Sequence, residues 1–138
     1  MKNVCAQALD YKFWSLPVFL DKRGGLCAIE WKDLPFKPKR TYFLFDVKSL
    51  RGGHAHLKEE EVFVCIKGSF RSRIHDGKRF RSFTLKKPGQ AVYTKNLIWH
   101  EFDQFTKDAV MLAISSAEYD GRKGYIMNFE EFKKCKKS

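Results

Sequence analysis

The stretch RGGHAHLKEEEVFVCIKGSF, Arg51–Phe70, decides how this chain is read. It carries two histidines one residue apart, three carboxylates at Glu59, Glu60 and Glu61, and an apolar run closed by Gly68-Ser69. On an extended strand, residues two apart share a face, so His54 and His56 project together and Ala55 points away. Glu61 lies five positions beyond His56, the wrong parity for that face in an unbroken strand. A turn around Lys58-Glu59 is needed to bring it back. Two imidazoles on one face suit metal ligation or proton transfer.

Working outward, similar short runs recur, each closed by turn residues. They are LCAIEW (Leu26–Trp31), TYFLFDV (Thr41–Val47) and AVMLAIS (Ala109–Ser115). This spacing predicts an all-β sandwich or barrel. Asp76-Gly77, between FRSRI and RFRSF, marks a tight hairpin, and Lys87-Pro88-Gly89 marks another break. Phe129 to Lys136 alone has helical character, so a short C-terminal helix is expected. Thirteen Phe point to a β-rich core, because aromatics suit pleated surfaces. The 138 residues read as one domain, residues 1–138, with no internal repeat or linker. Nothing alternates β with α, and a Gly-rich phosphate loop, a serine elbow and a paired-cysteine zinc pattern are all absent from the sequence.

The formal charge of +11 favours an anionic ligand, although Lys133, Lys134, Lys136 and Lys137 read as a solvated tail. Cys5, Cys27, Cys65 and Cys135 are scattered and read as reduced thiols. No stretch approaches the roughly 18 apolar residues of a membrane helix. Asp10 and Lys12 interrupt any N-terminal apolar signal core. A cytoplasmic protein without a membrane partner is expected.

With Gly68 the opening stretch reads His-x-His, four residues, Glu, six residues, Gly. That resembles the first motif of the cupins, which are double-stranded β-helix (jelly-roll) barrels, with Lys48 where a leading Gly is usual. Lys95–His100 falls in the place of the second motif and gives His100 the position of a fourth ligand. One reading is therefore a metal-dependent cupin using His54, His56, Glu61 and His100, a set common for iron, manganese or nickel.

A wider resemblance covers nearly the whole chain. It runs through Arg23-Gly24-x-Leu26-x-x-Ile29-Glu30, Leu34-Pro35-Phe36-x-x-Lys39-Arg40-x-Tyr42 and Arg51-Gly52-x-His54-Ala55-His56. It continues at Gly68-Ser69, Asp76-Gly77, Trp99-His100-Glu101, Ser116-x-x-Tyr119-Asp120, Tyr125-Ile126 and Phe132. These residues resemble the sugar 3,4-ketoisomerases, the WxcM-like group of small cupins acting on dTDP-4-keto-6-deoxyglucose. The resemblance implies an isomerase that moves the keto group from carbon 4 to carbon 3, giving a dTDP-3-keto-6-deoxyhexose for 3-amino sugar biosynthesis. It implies no metal and no other cofactor.

By that resemblance His54 and His56 carry the proton transfers and Tyr42 lies close to the sugar. The chemistry agrees: an enediol route removes one proton and returns another, and histidine does both near neutral pH. The enediolate oxygen needs a donor, Tyr42 or Arg51. Tyr42 has opposite parity to Phe43 and Phe45, which separates it from them. Arg40 and Arg51, then Arg23, are the candidates for the diphosphate, which suits arginine forks. Trp99 is expected to line the cleft. His100 is expected beside the sugar, where it would bias reprotonation of carbon 4 towards a galacto product.

Two departures stand out: Glu61 replaces an expected Gln, and Asp120-Gly121-Arg122-Lys123-Gly124 replaces an acidic stretch. The resemblance implies a homodimer, with exchange of N-terminal strands one form it could take; Phe13, Trp14 and Phe19 fit either that interface or the chain's own core. The competing reading is a binder of nucleotide sugar or nucleic acid. Arg71, Arg73, Arg79 and Arg81 offer the only basic, aromatic stretch for nucleic acid and read instead as a solvated face, so no nucleic-acid partner is expected.

Overall fold

The computed structural model describes residues 9–137, so Cys5 lies outside the described residues. Among these, the strands are β1 (Tyr11–Ser15), β2 (Val18–Asp21), β3 (Gly24–Cys27), β4 (Arg40–Phe45), β5 (Arg51–His56) and β6 (Glu61–Lys67). They continue with β7 (Phe70–His75), β8 (Phe80–Leu85), β9 (Gln90–Thr94), β10 (Trp99–Asp103), β11 (Val110–Ser115) and β12 (Tyr125–Ile126), before the helix α1 (Phe129–Lys137). Two antiparallel five-stranded sheets form, ordered β1-β9-β6-β11-β4 and β12-β5-β10-β7-β8, with β2-β3 as a separate hairpin. The cupin-like all-β architecture and the C-terminal helix expected from the sequence are both present.

The sheets are held together by alternation. Phe63 and Cys65 of β6, Val92 of β9, and Met111 and Ala113 of β11 meet Phe70, Leu85 and Phe102 from the other sheet in one buried cluster. Burying large apolar side chains at about 25 cal/mol per Å² is the main favourable term here. The Asp76-Gly77 hairpin forms where expected: the Asp76 carboxylate accepts from the Lys78 and Arg79 amides at 2.9 and 3.2 Å. Strand β7 then pairs with β8 from Phe70 opposite Leu85 to His75 opposite Phe80.

Asn128 caps the helix, its side-chain oxygen accepting from the Glu131 amide at 3.0 Å. Acidic Glu130 and Glu131 open it and lysines close it, matching the helix dipole. Its buried Phe132 packs on Ala55, Trp99 and Ile126. That seals the outer face of β5 and β10 and leaves their other face to the interior.

Two sequence expectations change. LCAIEW is a strand only as far as Cys27, and Trp31–Asp33 form a 3-10 turn. Cys27 pairs with Val18, the first residue of β2, so beyond it the strand has no ladder to continue. Phe43 and Phe45 face outward, each 61% exposed, so not all the phenylalanines serve the core.

Gly68 joins β6 to β7 at φ +69°, and a Cβ there would lie 2.7 Å from the Ala109 Cα. Gly68→Ala therefore meets both backbone strain and a clash. It is expected to cost about 2 kcal/mol or more, read as a lowered denaturant midpoint at unchanged slope.

Candidate active site

Strand β5 carries the histidines and β10 faces it: His100 is the register partner of His54, followed by a bulge before Glu101. Gly52 allows this approach, because a Cβ at its φ of +80° would lie 2.8 Å from the His100 carbonyl oxygen. The rings of His54 and His56 are 4.9 Å apart, those of His54 and His100 4.7 Å, and those of His56 and His100 5.3 Å. Tyr125 stacks on His54 at 4.6 Å and meets His56 edge-on at 4.4 Å.

Glu61 resolves its parity by changing sheet. The chain leaves β5 at His56, turns through residues 57–60 and enters the opposite sheet with Glu61 as the first residue of β6. Its carboxylate, 1% exposed, accepts from the Tyr42 hydroxyl at 2.8 Å and sits 2.9 Å from His56 Nε2. His100 Nε2 lies 3.6 Å away. Glu59 takes a hydrogen bond from Ser115 and one from Arg40 at 3.0 Å. Its other oxygen is 3.6 Å from His56 Nδ1, too far to satisfy that buried nitrogen.

Burial first, then the neighbouring His56, pushes the His54 imidazole down to about 4. Burial first, then His54, pushes His100 down to about 3. For Glu61 burial alone would raise the value. The His56 hydrogen bond, the charges of His100 and His56, and the Tyr42 hydroxyl outweigh it and hold the carboxyl at about 2. Burial, and then the Glu61 charge and hydrogen bond, drive the Tyr42 phenol well above its ordinary value. At neutral pH the floor therefore combines neutral His54 and His100, ionised Glu61 and a protonated phenol.

A cleft of 530 Å³ opens above this floor. Of the candidates named from sequence, His54, Tyr42, Arg40, Arg51 and His100 all line it. His56 is 3% exposed and sits behind them, against Glu61.

Two candidates are corrected. Trp99 precedes His100 on the same strand and so faces the other way. It packs on Phe129 at 5.2 Å and donates to Glu101, outside the cleft. Arg23 sits between β2 and β3, its exposed side chain paired with Asp21 at 2.6 Å, and does not reach the cleft of its own chain.

Sequence reasoning missed Tyr125, Tyr119, Arg122 and Met127, which also line the cleft. Tyr125 arrives on a two-residue strand opposite His56, too short for any periodicity to reveal. Glu59 showed only as one of three adjacent carboxylates. One ligand nitrogen each from His54, His56 and His100 lies within 4.8 Å of the others, so the imidazoles can share a cation. The Glu61 carboxylate is already engaged by Tyr42 and His56.

The fold and this floor define a small cupin with an acid–base cleft. Residues 9–137 match the family model described as FdtA: WxcM-like, C-terminal, and the chain belongs to that family. It is 40% identical over 129 residues to the TDP-4-oxo-6-deoxy-alpha-D-glucose-3,4-oxoisomerase of Aneurinibacillus thermoaerophilus, covering 91% of this chain and 92% of that one. The crystal structure of a 3,4-ketoisomerase from Helicobacter canadensis is 31% identical with a TM-score of 0.87, covering 95% of this chain and 100% of that one. A mutant of the 3,4-ketoisomerase QdtA from Thermoanaerobacterium thermosaccharolyticum, in complex with TDP-4-keto-6-deoxyglucose, is 29% identical with a TM-score of 0.87. That match covers 94% of this chain and 96% of the other.

The depressed histidines set an acid sensitivity. Between the ordinary histidine value of about 6.5 and about 4, the unfolded chain binds protons that folded His54 and His100 refuse, so stability falls as pH falls. Glu61 adds a second loss below about 4.5, down towards its folded value of about 2. Denaturant midpoints are expected to decline steadily from pH 7 to pH 4. Replacing both His54 and His100 by Asn should flatten the upper part of that decline.

Proposed function

We propose that this chain moves the keto group of a dTDP-linked 4-keto-6-deoxyhexose from carbon 4 to carbon 3 through an enediol, delivering a 3-keto sugar to a reaction that aminates carbon 3. The observation that carries this reading is the pairing at the cleft floor. A neutral His54 shares the cleft lining with Tyr42, whose hydroxyl is held by the buried Glu61. The family membership and the 40% identity to a 3,4-oxoisomerase support it over a metal-dependent activity or a binder without catalysis.

In this reading His54 is the first base. His54 faces the cleft, is unprotonated at neutral pH, and its ring bonds the Gly52 backbone. It takes the proton from carbon 3, the electron pair forms the carbon 3–carbon 4 double bond, and the carbon 4 oxygen becomes the enediolate oxygen. The His54 imidazolium, its N–H exchanged with solvent from the cleft, then delivers a proton to carbon 4 as the carbonyl forms at carbon 3. Tyr42 takes the carbon 3 hydroxyl proton and supplies one to the carbon 4 oxygen, so the enzyme ends as it began. His56, hydrogen-bonded to Glu61, orients the base from behind. Arg40 and Arg51 line the route of the diphosphate. His100, opposite His54 on the floor, favours delivery to the face that gives the galacto product.

The reading extends to a homodimer. Phe19, Leu20, Leu26, Trp31, Phe43 and Phe45 are exposed on the β2-β3 hairpin, the following turn and the outer side of β4, an apolar surface suited to a second copy. Phe13 contributes at the edge, while Trp14 packs into its own chain's core. In the single chain β1 pairs with its own β9, and it is the strand an exchange would swap. Cys27 and Cys65 are free thiols, which fits a reducing cytoplasm.

Metal-depleted protein incubated with dTDP-4-keto-6-deoxyglucose in deuterated water should give the 3-keto isomer carrying deuterium at carbon 4, seen by NMR. Turnover only after a divalent metal is added would move the assignment to a metal-dependent cupin, and tight dTDP binding without turnover would leave a binder. His54→Asn is expected to lose a factor of roughly 10²–10⁴ in kcat while still binding dTDP. Full rates in both His54→Asn and His56→Asn would refute the mechanism. Sedimentation should show a dimer that Leu20→Asp combined with Phe43→Asp converts to monomer.

A further inference from the structure

Four of the eight arginines are neutralised within the chain, and the exposed Arg79 and Arg81 lie on the β7-β8 hairpin, outside the cleft. Arg23 pairs with Asp21, Arg40 with Glu59, Arg71 with Asp103 and Arg73 with Glu101. Arg51 and Arg122 differ. Both line the cleft, and among the described residues neither takes part in a salt bridge. Unpaired guanidinium groups in the wall of a concave site focus a positive potential into it and draw an anion there.

The backbone at Arg122 is also unusual. Gly121 and Arg122 adopt φ of +76° and +74° in succession, and the Tyr125 amide closes the turn on the Arg122 carbonyl at 3.1 Å. Glycine takes this left-handed conformation freely and asparagine tolerates it, whereas arginine is strained there. Strained residues concentrate where a ligand is held. The Arg122 charge also reaches the cleft floor, where it opposes protonation of His54.

We propose that Arg122 is a substrate ligand, binding the diphosphate of the nucleotide sugar together with Arg51. This rests on the nucleotide-sugar reading above. Two forks from separate elements, the loop before β12 and the start of β5, bracket a group that carries two adjacent phosphates. Arg122 lies within the segment where this sequence departs from the acidic stretch expected of its family.

The test compares calorimetric binding of dTDP and of thymidine to the wild-type protein, Arg122→Asn and Arg51→Gln. Asn suits the left-handed backbone, so the melting temperature of Arg122→Asn is expected at or above that of wild type. A charge-assisted bond to phosphate implies about 10- to 100-fold weaker dTDP binding in Arg122→Asn, with a shallower salt dependence. Thymidine, which lacks phosphate, should bind both proteins alike, and the loss with the sugar substrate should fall on KM more than on kcat. Wild-type affinity for dTDP in Arg122→Asn, or equal losses for dTDP and thymidine, would overturn the assignment. If wild type itself failed to bind dTDP, the nucleotide reading would fall and this proposal with it.

Discussion

The site is organised around one buried carboxylate. Glu61 is almost wholly withdrawn from water, and a charge in that position is tolerated only when donors surround it. The partners come from different parts of the barrel: Tyr42 from β4 and His56 from β5 of the opposite sheet hydrogen-bond it, and His100 of β10 lies 3.6 Å away. The carboxylate therefore ties the two sheets together beneath the cleft. It also fixes the orientation of each partner. The Tyr42 hydroxyl points its proton at Glu61, which leaves the phenolic lone pairs available to the cleft. Removing one member would leave a buried charge or donor unmatched, so these residues are coupled and not separable contributions.

Much of this was readable from strand parity. The shared face of His54 and His56, the separation of Tyr42 from Phe43 and Phe45, the Asp76-Gly77 hairpin and the terminal helix all follow from alternation and turn chemistry. The failures have physical causes. Trp99 and His100 are adjacent on a strand, so placing His100 in the cleft already sends Trp99 to the other side. The family likeness suggested both, and geometry permits one. Arg23 matched a motif, but it follows Asp21 on a tight hairpin and is satisfied there. Glu61 required the chain to change sheet between residues 56 and 61, which no local pattern encodes. Tyr125 reaches His54 through a long-range pairing of two residues, invisible to any window of periodicity.

The net charge of +11 separates into parts with different meanings. On the β7 side, Arg71 and Arg73 each find a carboxylate on β10, Asp103 and Glu101, so half of the basic hairpin is compensated within the sheet. The C-terminal lysines close a helix and favour its dipole. What remains uncompensated around the cleft is arginine, suited by geometry to phosphate. The exposed phenylalanines separate in the same way: those that face inward fill the barrel, and those that face outward from β4 make a surface that water does not favour.

As the proposed base, His54 lowered to about 4 is fully available at neutral pH, but it is also a weaker proton acceptor than free imidazole. The cleft must therefore make the carbon 3 proton more acidic than it is in solution. That help has to come from the oxygen side, by stabilising charge as it develops on the carbon 4 oxygen. In the proposed mechanism Tyr42 supplies it by turning its O–H from Glu61 to the carbon 4 oxygen, and its phenol is held so firmly protonated that it gives up its proton only as it gains another. The burial that weakens His54 as a base also strengthens every dipole aimed at the enediolate, because both effects come from excluding water. The depressed histidine and the buried Glu61–Tyr42 pair are thus two consequences of one dry floor, and the proposed mechanism uses both.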